Sequence, residues 1–179
     1  HAVRALGYCL VGLNPMQKIT PFLWFENNNS EEAMNYYVSV FKNSRITAIK
    51  RYPEGSTMPH LAGMSGKVLT GVFELDGVQF MCLDGGPGVF QMNGAVSFLI
   101  GCKDQAEIDY YWEKLSAVKE AEQCGWCKDK FGITWQVNPA DMDMYMNGPD
   151  KAGSERAMAA MMQMKKIDIA ALEKAYKGE

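Results

Sequence analysis

The chain has 179 residues, with 18 Lys and Arg against 21 Asp and Glu, and a formal net charge of -3. Because phosphate binding needs clustered Lys and Arg, this balance argues against nucleic acid as a partner. No apolar stretch approaches the roughly 20 residues of a membrane span, so no membrane partner is expected. The five cysteines are an odd number, which favours reduced thiols and a cytoplasmic location over a secreted disulfide framework.

Residues 1–15 stand apart from the rest of the chain. Their apolar run, 8–13, is shorter than a signal-peptide or membrane segment requires, and Met16 has the features of a natural start. We expect 1–15 to be an extension from cloning or upstream translation. We expect 16–179 to be one domain, with halves at about 17–85 and 95–138 and a helical tail at 139–179.

The first half predicts a strand, a helix and three more strands. Residues 19–25 are a short apolar run, and Ser30 before two glutamates marks a helix start. Further strands are predicted at 45–52, 68–75 and 78–83. Asp76-Gly77 between the last two is a two-residue hairpin signal.

The second half repeats this order. A strand at 95–101 leads to a helix with Asp104 and Glu107 as a capping box. Two or three short strands follow, the last at 133–138, and then a helical tail whose final helix is capped by Asp168. Residues 157, 158, 161 and 162 form one apolar stripe, which predicts either a core helix or a dimer contact.

An internal repeat decides the predicted architecture. PFLW at 21–24 parallels SFLI at 97–100, NYY at 35–37 parallels DYY at 109–111, and 77–83 aligns with 132–138. The sequence therefore predicts an α+β fold of two pseudo-repeated βαβββ modules. They would form cupped mixed sheets with helices outside, plus the helical tail.

Five separated motifs carry a family resemblance: ITPFLWF (19–25), AMNYYVSVF (33–41), CGW (124–126), FGITWQV (131–137) and MMQMKKIDI (161–169). With them the chain resembles the vicinal oxygen chelate superfamily, the glyoxalase and bleomycin-resistance group. More closely it resembles the branch called PhnB-like or 3-demethylubiquinone methyltransferase-like. The resemblance implies cupped sheets around a cavity and a homodimer.

The resemblance also implies where metal-using members place four ligands, at equivalent points of the first and last strand of each half. With the internal repeat as ruler, these points are Pro21 and Met81 in the first half, and Ser97 and Gln136 in the second. Proline has no donor atom, and a thioether does not suit an oxygen-rich site for Mg, Mn or Zn. We expect no metal and no cofactor.

The same register divides the strands into two faces, because side chains alternate across a strand. The opposite phase is wholly apolar and is expected to pack under helices: Phe22, Trp24, Val78, Phe80, Cys82, Val96, Phe98, Ile100, Ile133, Trp135 and Val137. The mixed phase also holds Ile19 and Leu99. Its predicted ligand-binding residues are Pro21, Leu23, Gln79, Met81, Ser97, Thr134 and Gln136. The alternative is that its polar groups bond only each other or buried water.

Other motifs carry little chemistry. In an extended strand, Cys124 and Cys127 would be about 10 Å apart, beyond the roughly 7 Å that a disulfide tolerates. His60, to which no catalytic partner can be assigned, and Glu74 are weak candidates for acid–base catalysis. The methyltransferase activity is not carried over, because no βαβ unit with a glycine-rich first turn is present for a nucleotide-like cofactor.

Three function classes remain. The first is a metal-independent protein that binds a small, partly apolar molecule. The second is a lyase, isomerase or transferase acting on a small metabolite, which would need His60, Glu74 or a thiol near the cavity. The third is a structural dimer module.

Overall fold

The computed structural model describes residues 17–55 and 61–179. The chain divides into two compact units between residues 92 and 93. The predictions made for residues 1–15 and for His60 lie outside the described residues. In the described part of the chain, no helix has both the length and the apolarity needed to cross a bilayer.

The first unit has the βαβββ order that the sequence predicts. Its sheet has the strand order β1-β4-β3-β2, with β1 parallel to β4 and the other pairs antiparallel. Asp76 and Gly77, with φ of 46° and 83°, form the predicted tight turn between β3 and β4. The elements are β1 (Phe22–Phe25), α1 (Ser30–Val40), β2 (Arg45–Arg51), β3 (Val68–Leu75) and β4 (Val78–Asp84).

Helix α1 packs on this sheet through an aromatic stack. The ring of Tyr37 lies over Phe73 at 6.4 Å between centroids, and Phe73 stacks on Phe80 at 5.5 Å. Gly71 gives the helix room, because a Cβ atom there would approach Met34 Sδ to 2.6 Å. The face of the sheet that carries Gly71, Phe80 and the neighbouring Cys82 is therefore the one that α1 covers.

The start of α1 lies at Ser30, as predicted, but its capping group is remote in sequence. The Ser30 backbone N–H donates to Asp84 Oδ1 over 3.0 Å. Asp84 Oδ2 accepts the Val68 backbone N–H over 2.8 Å. One buried carboxylate thus satisfies the helix N-terminus and the first residue of β3 together.

The second unit has three strands in the order β5-β7-β6, with β5 parallel to β7. Between α2 and β6 the described residues contain a short 3-10 helix, Lys119–Ala121, and no strand. The α+β fold with two pseudo-repeated modules is confirmed, and the second module is one strand shorter than the first. Its elements are β5 (Ser97–Cys102), α2 (Gln105–Leu115), β6 (Trp126–Lys128), β7 (Thr134–Pro139), α3 (Met142–Met146), α4 (Lys151–Met161) and α5 (Ile169–Lys177).

Both predicted helix caps are confirmed. Asp104 Oδ1 accepts the Glu107 backbone N–H over 2.9 Å, and Asp168 Oδ1 accepts that of Ala171 over 3.0 Å. The tail is anchored to α2 because the side chain of Gln105 bonds the backbone on both sides of Asp168. Gln105 Oε1 accepts from Ile169, and its Nε2 donates to the carbonyl of Ile167.

Candidate functional site

The predicted division of faces is confirmed for the interior of the second unit's sheet. Ser97 pairs with Thr134, and Leu99 pairs with Gln136, so these four side chains share one face. Trp135 and Val137 point to the opposite face and are buried. The prediction is wrong at two strand starts: Val96 is 68% exposed and Val78 47% exposed, because each lies where its sheet ends.

The predicted phase of β1 is also wrong. Leu23 pairs with Cys82, so it lies on the face that α1 covers and is only 9% exposed. Phe22 pairs with Met81 on the opposite face and is 40% exposed. The alternation rule could not decide this, since all four residues of β1 are aromatic or aliphatic and either phase is apolar.

The remaining first-unit candidates are tied to the backbone of β4. Gln79 and Met81 are buried. The Met81 backbone N–H donates to the Pro21 carbonyl over 2.9 Å. The side-chain amide of Gln17 bonds both the N–H and the carbonyl of Gln79, each over 2.9 Å. Glu74, a weak catalytic candidate, forms a 2.8 Å ion pair with Arg45.

In the second unit the structure brings two predicted residues into direct contact. Gln136 Nε2 donates to Ser97 Oγ over 2.9 Å. Thr134 lies beside Ser97 in the neighbouring strand, and its buried Oγ1 has no hydrogen-bond partner among the described residues. A short polar cluster therefore lies on the face that was predicted to bind a ligand.

The four positions that correspond to metal ligands do not fit a divalent ion. Pro21 and Met81 offer no oxygen or imidazole side-chain donor, and the Ser97 hydroxyl already accepts from Gln136. In the observed register, the first-strand residue beside Met81 is Phe22, and the one beside Gln136 is Leu99. Neither side chain adds a metal-donor atom. Across residues 17–55 and 61–179, no three His, Cys, Asp or Glu side chains converge as a metal site.

A cavity of about 710 Å³ lies in the second unit, against the open face of its sheet. Of the seven predicted ligand-binding residues, Gln136 lines it. Two further lining residues come from the sheet and four come from the segment before β6. The tail contributes four methionines. The lining residues are Glu120, Ala121, Gln123, Cys124, Trp126, Gln136, Asn138, Met142, Met146, Met161 and Met162.

The wall that carries Cys124 is a tight turn. Cys124 and Gly125 have φ of 50° and 82°, and the Trp126 N–H closes the turn onto the Gln123 carbonyl over 2.7 Å. The tail is hydrogen-bonded to the outside of this turn. Cys124 N–H donates to Met164, and Gly125 N–H donates to Lys165, each over 2.8 Å.

The cavity combines an apolar, polarizable wall with a few amide groups. Trp126 is 37% exposed, and Gln136 is half-buried beside it in the sheet. The Oδ1 atom of Asn138 is buried and has no hydrogen-bond partner in the described chain. Apolar walls with a small number of placed polar groups are typical of small-molecule sites.

The thiols divide by environment. Burial raises the pKa of Cys82, Cys102 and Cys127 to about 12, because the thiolate loses hydration. Cys124 is half-buried and lines the cavity. Cys127, the residue directly after the turn, is fully buried, so the CxxC string does not present two accessible thiols.

That the tail lines the cavity was not predicted from the sequence. Its apolar stripe predicted a core helix or a dimer contact. Ala157 is fully buried, as a core helix predicts. Met158 and Met162 are about half exposed, and Met161 and Met162 line the cavity. The signal available was the clustering of methionine itself, a residue common at adaptable binding surfaces.

The chain has a glyoxalase/bleomycin-resistance-like fold, which a family profile and solved structures support. A family profile described as 3-demethylubiquinone-9 3-methyltransferase matches residues 17–138. The chain belongs to this PhnB-like family. No curated protein matched the chain.

Solved structures agree with this assignment. A PhnB protein from Bacillus cereus is 36% identical, with a TM-score of 0.56, and the match covers 68% of this chain and 99% of that one. PA1353 from Pseudomonas aeruginosa is 20% identical, with a TM-score of 0.53, covering 69% and 98%. At that identity the second likeness supports the fold alone.

Proposed function

We propose that the protein is a metal-independent small-molecule-binding protein of the vicinal oxygen chelate superfamily, working as a homodimer. The observation that carries the proposal is the cavity of about 710 Å³, whose size is within the roughly 300–1,000 Å³ of known ligand sites. Its wall of Trp126 and methionine side chains suits a flat, largely apolar molecule. Gln136 and Asn138 would orient that molecule through its polar groups.

The chemistry of the family-equivalent positions supports metal independence. Met81 offers a thioether there, Gln136 a neutral amide, and Ser97 a hydroxyl that already accepts a hydrogen bond. A divalent ion of the Zn or Mn type needs imidazole, carboxylate or thiolate ligands. A ligand would therefore be held by shape, dispersion and amide hydrogen bonds. The cavity would therefore bind its ligand without activating a reacting group.

The test is binding by chelator-treated protein. Elemental analysis for Zn, Ni, Mn and Fe comes first. Small aromatic and drug-like compounds are then screened by thermal shift, followed by calorimetry. We expect well under one equivalent of metal and at least one compound that binds. Gln136→Met keeps the side-chain length, removes the amide and should weaken binding, whereas Gln163→Met, an exposed position outside the cavity lining, should not.

The enzyme alternative predicts different results. Its support is the methyltransferase description of the family, and Glu74, the weak acid–base candidate within the described residues, forms an ion pair with Arg45. Binding of a methyl donor such as S-adenosylmethionine, or a stoichiometric divalent metal that Gln136→Met removes, would contradict the binding-protein proposal.

A further inference from the structure

Five sulfur-bearing side chains line the cavity of the second unit. One is a thiol on the turn before β6, and four are thioethers from the tail: two in α3, one at the last residue of α4 and one at the residue that follows it. They are Cys124, Met142, Met146, Met161 and Met162. Glu120 is the acidic residue among the lining residues, and the lining contains no histidine.

Two of these sulfurs are already at a distance suited to shared coordination. Cys124 Sγ lies 3.8 Å from Met162 Sδ. Two sulfur ligands at about 2.3 Å from one ion are separated by about 3.8 Å at a tetrahedral angle and about 4.0 Å at a trigonal one. An ion could therefore lie between Cys124 and Met162 without moving the backbone.

The backbone holds this pair together. Cys124 donates its N–H to the carbonyl of Met164, and Gly125 donates to Lys165, so the turn is tied to the chain just beyond Met162. Both sulfurs remain accessible, since Cys124 is half-buried and Met162 is 51% exposed. Preorganised ligands lose less conformational entropy when they bind.

We propose that Cys124 and Met162, with the neighbouring cavity methionines, form a binding site for a soft monovalent cation, Cu(I). Thiolate and thioether ligands select soft ions over the oxygen-preferring Mg²⁺ and Mn²⁺. Binding transfers the Cys124 thiol proton to solvent and forms sulfur–metal bonds, with no change of oxidation state. The thiolate and a monovalent ion together are neutral, so the apolar cavity would not acquire a buried net charge.

This site is separate from the family's divalent positions and does not depend on an organic ligand. A failure here would leave the binding proposal standing, because that proposal is tested on metal-free protein. Conversely, Cu(I) binding would not by itself establish that the cavity accepts an organic molecule.

The experiment uses the full chain with Cys9→Ser, which removes the thiol outside the described residues. Native mass spectrometry with Ag(I), a redox-stable probe of the same class, would count ions per chain. Anaerobic titration of Cu(I) against a chromophoric chelator would give affinity. The variants are Cys124→Ser and Met162→Leu, with Met158→Leu as control, because Met158 is equally exposed on the tail but lies outside this cavity lining.

We expect one ion per chain, no stoichiometric ion with Cys124→Ser, and affinity reduced about tenfold or more with Met162→Leu, since even outer-shell losses at metal sites cost 10- to 100-fold. Met158→Leu should bind like the parent, and excess Zn²⁺ should not displace the ion. Melting temperatures would show that every variant is folded. Absence of a stoichiometric ion, or full affinity in either Cys124→Ser or Met162→Leu, would overturn the proposal.

Discussion

Asp84 Oδ1 accepts the backbone N–H of Ser30 over 3.0 Å, which joins the end of β4 to the first residue of α1. The other oxygen of the same carboxylate accepts from Val68. Because Asp84 is only 2% exposed, both N–H groups would lose their partner inside the protein if the carboxylate were removed. The helix start of the first unit therefore depends on a residue more than fifty positions away in the sequence.

We expect Asp84→Ala to lower the free energy of unfolding by about 2–4 kcal/mol, since each buried unpaired group costs about 1–3 kcal/mol. Urea unfolding measures the change. Asp141→Ala is the control, because Asp141 is exposed and its side chain makes no cap bond within the described chain. An equal effect of the two substitutions would contradict the capping role of Asp84.

Substituting two glycines with nearly equal φ would separate the free-energy cost of backbone strain from that of steric crowding. Gly77 and Gly125 have φ of 83° and 82°, but a Cβ on Gly77 would meet no atom of the described residues within 4 Å. A Cβ on Gly125 would come within 2.2 Å of Asn138 Oδ1. Gly77→Ala should cost about 1–2 kcal/mol from its left-handed conformation. Gly125→Ala should lower the unfolding free energy by more than Gly77→Ala does. Chemical denaturation of both variants measures the two changes. Equal changes would contradict a turn that is packed against the sheet.

Thiol reactivity should follow burial. The pKa of Cys82, Cys102 and Cys127 is raised to about 12, so almost no thiolate forms at pH 8. Iodoacetamide at that pH should label Cys124 and leave these three unmodified until denaturant is added. Peptide mass spectrometry reads each site separately. Rapid native labelling of Cys127, or an intramolecular bridge between it and Cys124 under mild oxidation, would contradict the observed placement.

Glu122 gives a pH dependence with a defined sign. The Ser116 hydroxyl donates to Glu122 over 2.6 Å and Lys119 lies at 2.9 Å; both lower its pKa, and the side chain is 5% exposed. A folded pKa below the unfolded value of about 4.3 means that Glu122 stabilises the protein above that pH. The contribution is lost as pH falls through the folded pKa.

Glu122→Gln should therefore lower the unfolding free energy at pH 6, and its difference from the parent protein should shrink as the pH approaches 3. Denaturation at both values measures this. A difference that stays constant with pH would show that the ionised carboxylate contributes nothing. Lys174→Gln, in α5 and outside this network, serves as the charge control.

Local signals predicted the fold well. The β3 and β4 hairpin was found because its turn residues need positive φ, and the caps at Asp104 and Asp168 were found because their partners are three residues away. The phase of β1 was not found, because a strand that is apolar on both faces carries no alternation. The internal repeat then transferred that one-residue error to Pro21 and Leu23.

The candidate site could be predicted only in part. Gln136 and Ser97 were predicted from the ligand positions that the family resemblance implies, with the internal repeat as ruler. In the structure they are hydrogen-bonded to each other, which is what the alternative of polar groups that bond only each other expects. The cavity wall formed by Cys124 and Met162 depends on backbone bonds between residues about forty positions apart, for which the sequence contains no periodic signal. Long-range tertiary pairing, rather than local propensity, places the tail methionines at the sheet.

The most direct measurement of the central claim is a crystal structure of chelator-treated protein with the first compound that raises its melting temperature. We expect the compound in the second-unit cavity, with its apolar part against Trp126 and a hydrogen bond to Gln136, and no divalent ion at Met81 or Gln136. A compound bound elsewhere, or a divalent ion held at those positions, would contradict a metal-independent pocket protein.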